Sequence, residues 1–321
     1  GATDNACSPE EFVEVFTTYL GREAPCVRAL AGQHIHCGSA RGGQRRPPRV
    51  CDAFGVELGL ATLPGGDDTV CHDAIAHGIF SLAFSAGIAG QTEPASLFQQ
   101  VIPPHVLYAR DAGGRRPGII PDARLHVALP RRHTGGRRRR GQRETARFWL
   151  FDVKTLRAGG PDYRQCALDG QCGAGEWGDT SHARSLDTRI HPGGGDPIAA
   201  RLRALGEVSG LCFGAYAEAS ADVHCLVDII ADALAERRWA RFGARDVGEA
   251  RSAFVTILRR RVGVMVAREM ARHRLARLHW VGVPRAAIEA RAARLRRGVE
   301  DRAPAIDAAD FFAHQAYALA A

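Results

Sequence analysis

The chain has almost no lysine. Lys154 is its only lysine, so arginine supplies nearly all of the 43 basic residues and of the net charge of +8. Arginine keeps its proton in proteins, whereas lysine carries a compact charge and shifts its pKa readily. A reaction that needs a lysine side chain therefore has one candidate. The pI near 9.3 favours a polyanionic partner, although a coding bias toward arginine would raise the pI in the same way.

Several other features are missing from the 321 residues. No apolar run is long enough to span a membrane, and we expect no membrane partner. No signal peptide is present and the nine cysteines are an odd number, so we expect reduced thiols in an intracellular protein, nuclear in a eukaryote. Glycine phosphate loops, Gly-x-Ser-x-Gly turns, helical His-Glu-x-x-His arrangements, heptads and repeats are also missing, which argues against the protein classes that they mark. The sequence leaves the oligomeric state open.

Two short apolar runs each carry an acidic residue. They cover residues 118–122 and 148–155, and both are rich in β-branched or aromatic residues near Gly and Pro. This composition predicts two strands of a buried sheet. If the strands pair as a hairpin, Asp122 lies beside Asp152.

Alternation along the second strand sorts its side chains. Asp152 and Lys154 share one face, whereas Phe151 and Val153 point to the core. Two carboxylates and one ammonium group, with Asp122 as the second acid, would make a site for a hard divalent cation such as Mg²⁺. Lysine beside a metal-bound water can orient it or stabilise charge that develops on phosphorus.

Pro121-Asp122 followed by Asp152-Val153-Lys154 resembles the motif of the PD-(D/E)xK nuclease superfamily. The resemblance implies hydrolysis of phosphodiesters with Mg²⁺ or Mn²⁺ on a four-stranded mixed sheet flanked by helices, a restriction-endonuclease-like α/β core. It also implies that Asp122 and Asp152 bind the metal, that the Val153 carbonyl is a further ligand and that Lys154 positions the water. The thirty positions between the aspartates (152 minus 122) are many for this family.

The family's first core helix often brings an acidic residue to the metal. Cys71-His72-Asp73 opens an apolar helical pattern that ends near Gly87 or Gly90. Asp73 is the candidate ligand, with His72 as the alternative. A second interpretation makes Asp73 a helix-start residue that the helix dipole favours.

The resemblance covers about residues 71–240 and implies the order helix, three strands, helix, strand. We expect the first strand within residues 95–109 and the fourth at residues 210–216, followed by a helix that Ser220 caps. Residues 1–70 then form an N-terminal accessory segment, and residues 241–321 a basic helical extension.

The accessory segment contains a capping box and a Cys/His group. Ser8-Pro9-Glu10-Glu11 predicts a helix start, and an apolar stripe behind it predicts a packed face: Phe12, Val13, Phe16 and Leu20. Thiolate and imidazole ligands suit a structural Zn²⁺, and the candidates are Cys26, His34, Cys37 and Cys51. The alternative is that these side chains bind no metal and lie in a basic loop.

Arginines cluster in two further places. Residues 130–142 contain Arg131, Arg132 and the run Arg137, Arg138, Arg139 and Arg140. Consecutive arginines cannot pack in a core, so we expect a solvated tip that grips phosphates beside the cut site, or else an insertion without that role. The helical patterns over residues 246–277 and 284–297 also carry many arginines, which fits a surface facing phosphates.

The sequence therefore predicts a metal-dependent endonuclease that hydrolyses DNA, with DNA preferred to RNA by analogy alone. A Cys/His segment ahead of a nuclease core also resembles endonuclease-type proteins of mobile genetic elements. The alternative from another class is a basic, non-catalytic nucleic-acid-binding protein with a vestigial nuclease site.

Overall fold

The computed structural model describes residues 7–37, 47–94, 97, 121–127, 148–158, 184, 187–188, 193–195, 197–200 and 208–296. These residues fall into two compact units that are discontinuous along the chain. One unit contains the chain up to Cys71, residues 157–159 and the chain from Met265 onward; the other contains His72–Leu156 and Gly160–Val264. The predicted segments 1–70, 71–240 and 241–321 are consecutive, and that division stays a prediction. Within the described ranges, no helix is long and apolar enough to cross a membrane.

The first helix, α1 (Pro9–Tyr19), starts where its sequence predicts. Ser8 Oγ accepts a hydrogen bond from the Glu11 amide at 3.1 Å, and Glu11 Oε2 accepts one from the Ser8 amide at 2.9 Å. The capping box is therefore confirmed. In the same unit, α1 is followed by the short helix α2 (Pro25–Arg28), by the antiparallel strands β1 (His34–Ile35) and β2 (Arg49–Val50), and by helix α3 (Val56–Leu60).

The predicted packing of α1 is wrong. The apolar side chains expected to pack are exposed instead: Phe12, Val13, Phe16 and Leu20. The buried side chains of the helix are Glu11 and Glu14. Glu11 pairs with Arg272, and Glu14 Oε1 lies 2.7 Å from Arg274 Nε. The polar face is thus held inside by arginines that lie far along the chain.

The other unit is built on a four-stranded mixed sheet, which confirms the predicted α/β class with helices around such a sheet. The sheet follows helix α4 (Asp67–Ser85) in the chain. The three strands β3 to β5 pair antiparallel and the last two pair parallel. In spatial order they are β3 (Gly90–Thr92), β4 (Ala123–His126), β5 (Phe148–Thr155) and β6 (Val208–Phe213).

Three strands differ from the prediction. In place of the predicted strand at residues 118–122, of which only Pro121 and Asp122 are described, β4 begins at Ala123, so Asp122 lies one residue before the strand. Apart from residue 97, the predicted first strand at residues 95–109 lies outside the described residues. The described strand in its place is β3, whose three residues are all exposed. The fourth strand begins at Val208 and ends at Phe213 rather than spanning residues 210–216. It ends because the chain turns at Gly214, whose carbonyl accepts a hydrogen bond from Ala217 N at 3.1 Å.

Aromatic side chains pack one face of the sheet against α4. The rings of Phe80 and Phe151 lie 5.9 Å apart, and those of Trp149 and Phe151 lie 4.4 Å apart. The indole N–H of Trp149 donates to Ser209 Oγ at 2.7 Å, so its buried polar atom is satisfied. This packing fixes β5, the strand that carries the candidate site.

The helix after the sheet, α5 (Ala221–Phe242), has the predicted buried stripe: Val223, Leu226, Val227, Ile230 and Leu234. Ser220 occupies its N-cap position, but the side chain makes no capping bond, so the predicted cap is wrong in its chemistry. Ser220 Oγ instead accepts from the Cys212 amide at 3.2 Å. The hydroxyl therefore ties the start of α5 to β6.

The C-terminal part is helical as predicted over the residues that the structure describes, up to 296, with α6 (Val247–Arg277), a 3₁₀ turn at Leu278–Trp280 and α7 (Arg285–Arg296). Residues 197–200 are also helical. There the buried Asp187 carboxylate accepts from the amides of Ile198 and Ala199, each at 3.0 Å. A carboxylate from elsewhere in the chain thus satisfies the amides at that helix start.

Candidate functional site

The β4–β5 hairpin brings the two candidate aspartates together. Ala123 pairs with Phe151 in the antiparallel register, so the next pair outward is Asp122 and Asp152. Asp122 Oδ2 also accepts a hydrogen bond from the Val153 amide at 2.5 Å. The predicted hairpin is confirmed, and it places Asp122 on the backbone of the strand that carries Asp152.

Side chains alternate along β5 as predicted. Phe151 and Val153 are fully buried in the core, while Asp152 and Lys154 are only partly buried on the other face. Lys154 Nζ lies 2.5 Å from Asp152 Oδ2. The only lysine of the chain is therefore paired with one of the two aspartates that neighbouring strands hold together.

α4 brings His72 rather than Asp73 into this group. His72 Nε2 lies 3.0 Å from the Val153 carbonyl oxygen and 3.4 Å from Asp122 Oδ2. Asp73 lies mostly in solvent, and its Oδ1 is 2.9 Å from the other ring nitrogen of His72, Nδ1. Asp73 thus contacts the group through His72. The alternative interpretation of Asp73 as a helix-start residue is wrong, because α4 begins at Asp67.

The contacts of His72 set its charge. Burial disfavours the imidazolium, but the hydrogen bonds to the Asp122 and Asp73 carboxylates outweigh it and raise the pKa of His72 to about 10. The geometry agrees, since both ring nitrogens face oxygen atoms that accept hydrogen bonds. We therefore describe His72 as an imidazolium that bridges Asp122 and the β5 backbone.

The surroundings of Asp152 disfavour its charged form, whereas those of His72 favour its charged form. Burial raises the pKa of the Asp152 carboxyl, and the nearby charge of Asp122 adds to that effect. Lys154 and, more weakly, His72 act against it, yet the net direction is upward. The Asp152 carboxyl therefore depends on cationic neighbours to stay ionised, which is the electrostatic situation that a bound cation would relieve.

The side chains and carbonyl near Asp152 are chemically suited to a hard divalent cation, but they are not arranged around one position in this structure. Asp122, Asp152 and the Val153 carbonyl offer oxygen atoms, and His72 offers an imidazole. The Val153 carbonyl, which the resemblance makes a metal ligand, accepts from His72 in this structure. Among the residues that the structure describes, no group of three or more His, Cys, Asp or Glu side chains is placed to hold a metal ion.

The candidate zinc ligands do not form such a group either. Cys37 and Cys51 are buried in an apolar cluster of the first unit, and burial raises the pKa of the Cys51 thiol to about 11. Cys26 Sγ instead donates to the Glu14 carboxylate at 3.5 Å, and His34 stacks on His36 with ring centroids 6.2 Å apart. The Cys37 and Cys51 thiols behave as packed apolar groups, and the zinc hypothesis has no support from this geometry.

The basic surfaces that the sequence indicated are used in part for folding. The arginine-rich tip, Arg131 to Arg140, lies outside the described residues. On α6, most arginines pair with carboxylates: Arg251 with Asp232, Arg259 with Asp228, Arg268 with Glu269, and Arg272 with Glu11 and Glu269. Arg260 and Arg261 are exposed. The helix therefore offers fewer cations to a phosphate backbone than its composition suggested.

Sequence reasoning ranked Asp73 above His72, and helical spacing could have corrected it. His72, Ile75 and Ile79 lie at positions i, i+3 and i+7, and both isoleucines are fully buried. His72 therefore belongs to the inward stripe of α4, and Asp73 lies beside it on the outer side. The preference for an acidic ligand type outweighed this signal.

Comparison with known proteins gives no relative. No protein-family model matches the chain, and neither a curated protein nor a solved structure shows significant similarity to it.

Proposed function

We propose that the chain is a metal-dependent nuclease that hydrolyses DNA phosphodiester bonds. The observation that carries the proposal is the meeting of Asp122, one residue before β4, with Asp152 and Lys154 of the paired strand β5, and with the His72 imidazole beside them. The resemblance to the PD-(D/E)xK superfamily supplies the reaction class. The described elements also run in the order that the resemblance implies: α4, then β3 to β5, helical residues 197–200, and β6.

Four groups would hold the cation, Mg²⁺ or Mn²⁺. They are the carboxylates of Asp122 and Asp152, the carbonyl of Val153 and the imidazole of His72. When bound, such a cation supplies a Lewis acid for the phosphate and lowers the pKa of a bound water. For all four to ligate, His72 would have to give up its proton, since an imidazolium cannot bind a metal, and its hydrogen bond to the Val153 carbonyl would have to break.

Lys154 would hold the attacking water and the charge that develops on the phosphate oxygens. Its ion pair with Asp152 fixes where the ammonium group sits along β5. Asp152 would therefore both bind the cation and position Lys154. DNA remains the preferred substrate by analogy, and the positive net charge of +8 supports a polyanion in general.

The second candidate is a basic nucleic-acid-binding protein whose nuclease site no longer works, with or without a mobile-element origin. One observation favours it. His72 bridges Asp122 and the Val153 carbonyl, so the described side chains form an internally neutralised group without a metal. Such a protein would bind nucleic acid through its arginines and would not cut it.

Cleavage of supercoiled plasmid and of single-stranded DNA tests the first proposal. The wild-type chain should nick with Mg²⁺ or Mn²⁺ and not with EDTA, and Asp122→Asn, Asp152→Asn and Lys154→Arg should each lower the rate by at least about 100-fold. Asp228→Asn is the matched control, because it also removes one partner of an aspartate ion pair, the one with Arg259. Its rate should stay at the wild-type level.

Two results would reject the nuclease. Equal metal-dependent nicking by the wild type and all variants would assign the activity to another site or to a contaminant. Salt-sensitive binding of DNA without cleavage under any metal would select the binding-protein alternative.

A further inference from the structure

Helix α1 turns its apolar side to solvent. Five large apolar side chains on the helix and its C-cap are exposed, with these exposed fractions: Phe12 60%, Val13 41%, Phe16 52%, Tyr19 74% and Leu20 51%. The rings of Phe12 and Phe16 stack at 5.9 Å. A contiguous apolar surface of this kind, which we call the α1 face, marks an interaction site in folded proteins.

Ion pairs on the other side of the helix fix this orientation. Glu14 is fully buried and pairs with Arg274, and Glu11 pairs with Arg272. The capping box holds the helix start as well. Rotating α1 to bury its apolar side would break buried charge pairs, which is strongly unfavourable. The α1 face therefore stays exposed, and a second surface is needed to cover it.

The α1 face is complementary to itself. Counting outward from Phe16 in both directions, Val13 matches Tyr19 and Phe12 matches Leu20, since each pair of numbers adds to twice 16. Two antiparallel copies of the helix centred on Phe16 would thus place apolar side chains against apolar side chains. A two-fold axis pairs positions in this way.

We propose that the α1 face binds the same face of a second copy of the chain, with the two helices antiparallel around a two-fold axis at Phe16. The inference is independent of the nuclease proposal. The face carries no basic side chain among its five apolar members, so a nucleic acid is a poor partner for it.

The size of the α1 face fits a weak dimer. The exposed fraction of each of the five side chains, multiplied by a side-chain area of about 150–250 Å², gives its exposed area. The sum is roughly 500 Å² per copy, so a dimer would bury about 1,000 Å² in total. That area is at the lower limit of specific interfaces, so the dimer should form and dissociate with concentration in the micromolar range.

Sedimentation velocity of the full chain tests the proposal, from about 1 µM to about 200 µM, the range in which an interface of this area should dissociate. The wild type should shift from monomer to dimer. Phe16→Glu places two carboxylates at the axis and should weaken the dimer by at least about 100-fold. Val264→Glu is the control, since Val264 is an equally exposed apolar side chain (55%) on α6, and it should leave the dimer unchanged.

An introduced charge pair tests the antiparallel register. Val13→Glu should weaken the dimer, and adding Tyr19→Arg should restore part of the affinity, because the two positions meet across the two-fold axis. Circular dichroism of each variant checks that α1 remains folded. A wild type that stays monomeric throughout, or a dimer that Phe16→Glu leaves intact, would overturn the proposal. Failure of Tyr19→Arg to restore any affinity to the Val13→Glu variant would overturn the antiparallel arrangement.

Discussion

A Gly87→Ala substitution would be opposed by two effects, a steric clash and an unfavourable backbone conformation, and these can be measured separately. The residue ends α4 in the left-handed region, at φ +79°, with its amide bonded to Phe84 O at 2.8 Å and the next amide bonded to Ala83 O at 3.1 Å. This is the hydrogen-bond pattern of a Schellman motif. Arg237 Nη1 donates to the Ala86 carbonyl at 3.0 Å, and an added Cβ on Gly87 would lie 1.3 Å from that nitrogen.

Gly243 is a close match for Gly87 without the arginine. It ends α5 at the same φ of +79°, and its added Cβ would meet nothing within 4 Å. Gly243→Ala should therefore cost only the left-handed backbone term, about 1 kcal/mol. Gly87→Ala should cost that term and also the Arg237 hydrogen bond, because the guanidinium must leave. A hydrogen bond from a charged donor contributes about 1.5–3 kcal/mol, and the exposure of Arg237 lowers this, so we expect a total of about 2–3 kcal/mol.

Equilibrium urea unfolding of the single variants and of a double-mutant cycle measures the two contributions. In an Arg237→Ala background, Gly87→Ala should cost no more than Gly243→Ala does in the wild type, because nothing then blocks the methyl group. Two outcomes would refute the reasoning. The costs of the two glycine substitutions would be equal in the wild type, or the excess cost at Gly87 would survive the removal of Arg237.

Three further predictions concern buried polar groups. In metal-free protein, the free energy of unfolding should fall by up to about 1.4 kcal/mol per pH unit between about pH 7 and pH 9. The reason is that native His72, whose pKa is about 10 against an ordinary 6.5, keeps a proton that the unfolded chain loses. His72→Gln should flatten this slope in urea titrations. Asp187→Asn should destabilise by about 2–4 kcal/mol, since one of two amides at a helix start loses a charged acceptor, and hydrogen exchange at Ile198 would report it. Trp149→Phe should cost about 1–3 kcal/mol by leaving the Ser209 hydroxyl buried without its donor, and most of the hydrogen-bond part should disappear in a Ser209→Ala background.

The parts of the fold that sequence predicted correctly are the parts that short-range patterns determine. The Ser8 capping box is complete within four residues, and its two hydrogen bonds are both present. Alternation in β5 depends only on the geometry of a strand, so the division between core and site residues was already set by their spacing. Pairing of β4 with β5 follows because each strand has one face of buried residues and because consecutive strands commonly pair as a hairpin.

Long-range partners account for the errors. The periodicity of α1 predicts an apolar stripe but cannot say which side faces the core, because the partners of Glu11 and Glu14 are arginines about 260 positions later in the chain, at positions 272 and 274. β3 has no strand composition, and its backbone is extended because it pairs with β4. In the site, ligand preference pointed to Asp73, while the helical register of α4 selected His72.

The structural ion pairs of arginine in this fold help to interpret the pairing of the single lysine, Lys154, with Asp152. Arg277 is 1% exposed, and it donates to the Gly59 carbonyl and to Asp68. With the arginine pairs of α6, it shows that this chain builds its structural ion pairs from arginine. Composition therefore overstates the charge available to a nucleic acid. An ordinary structural partner for Asp152 would on this pattern also be an arginine, so the Lys154→Arg variant distinguishes the two roles. A structural ion pair would survive that change, whereas a group that must fit beside a metal-bound water would not.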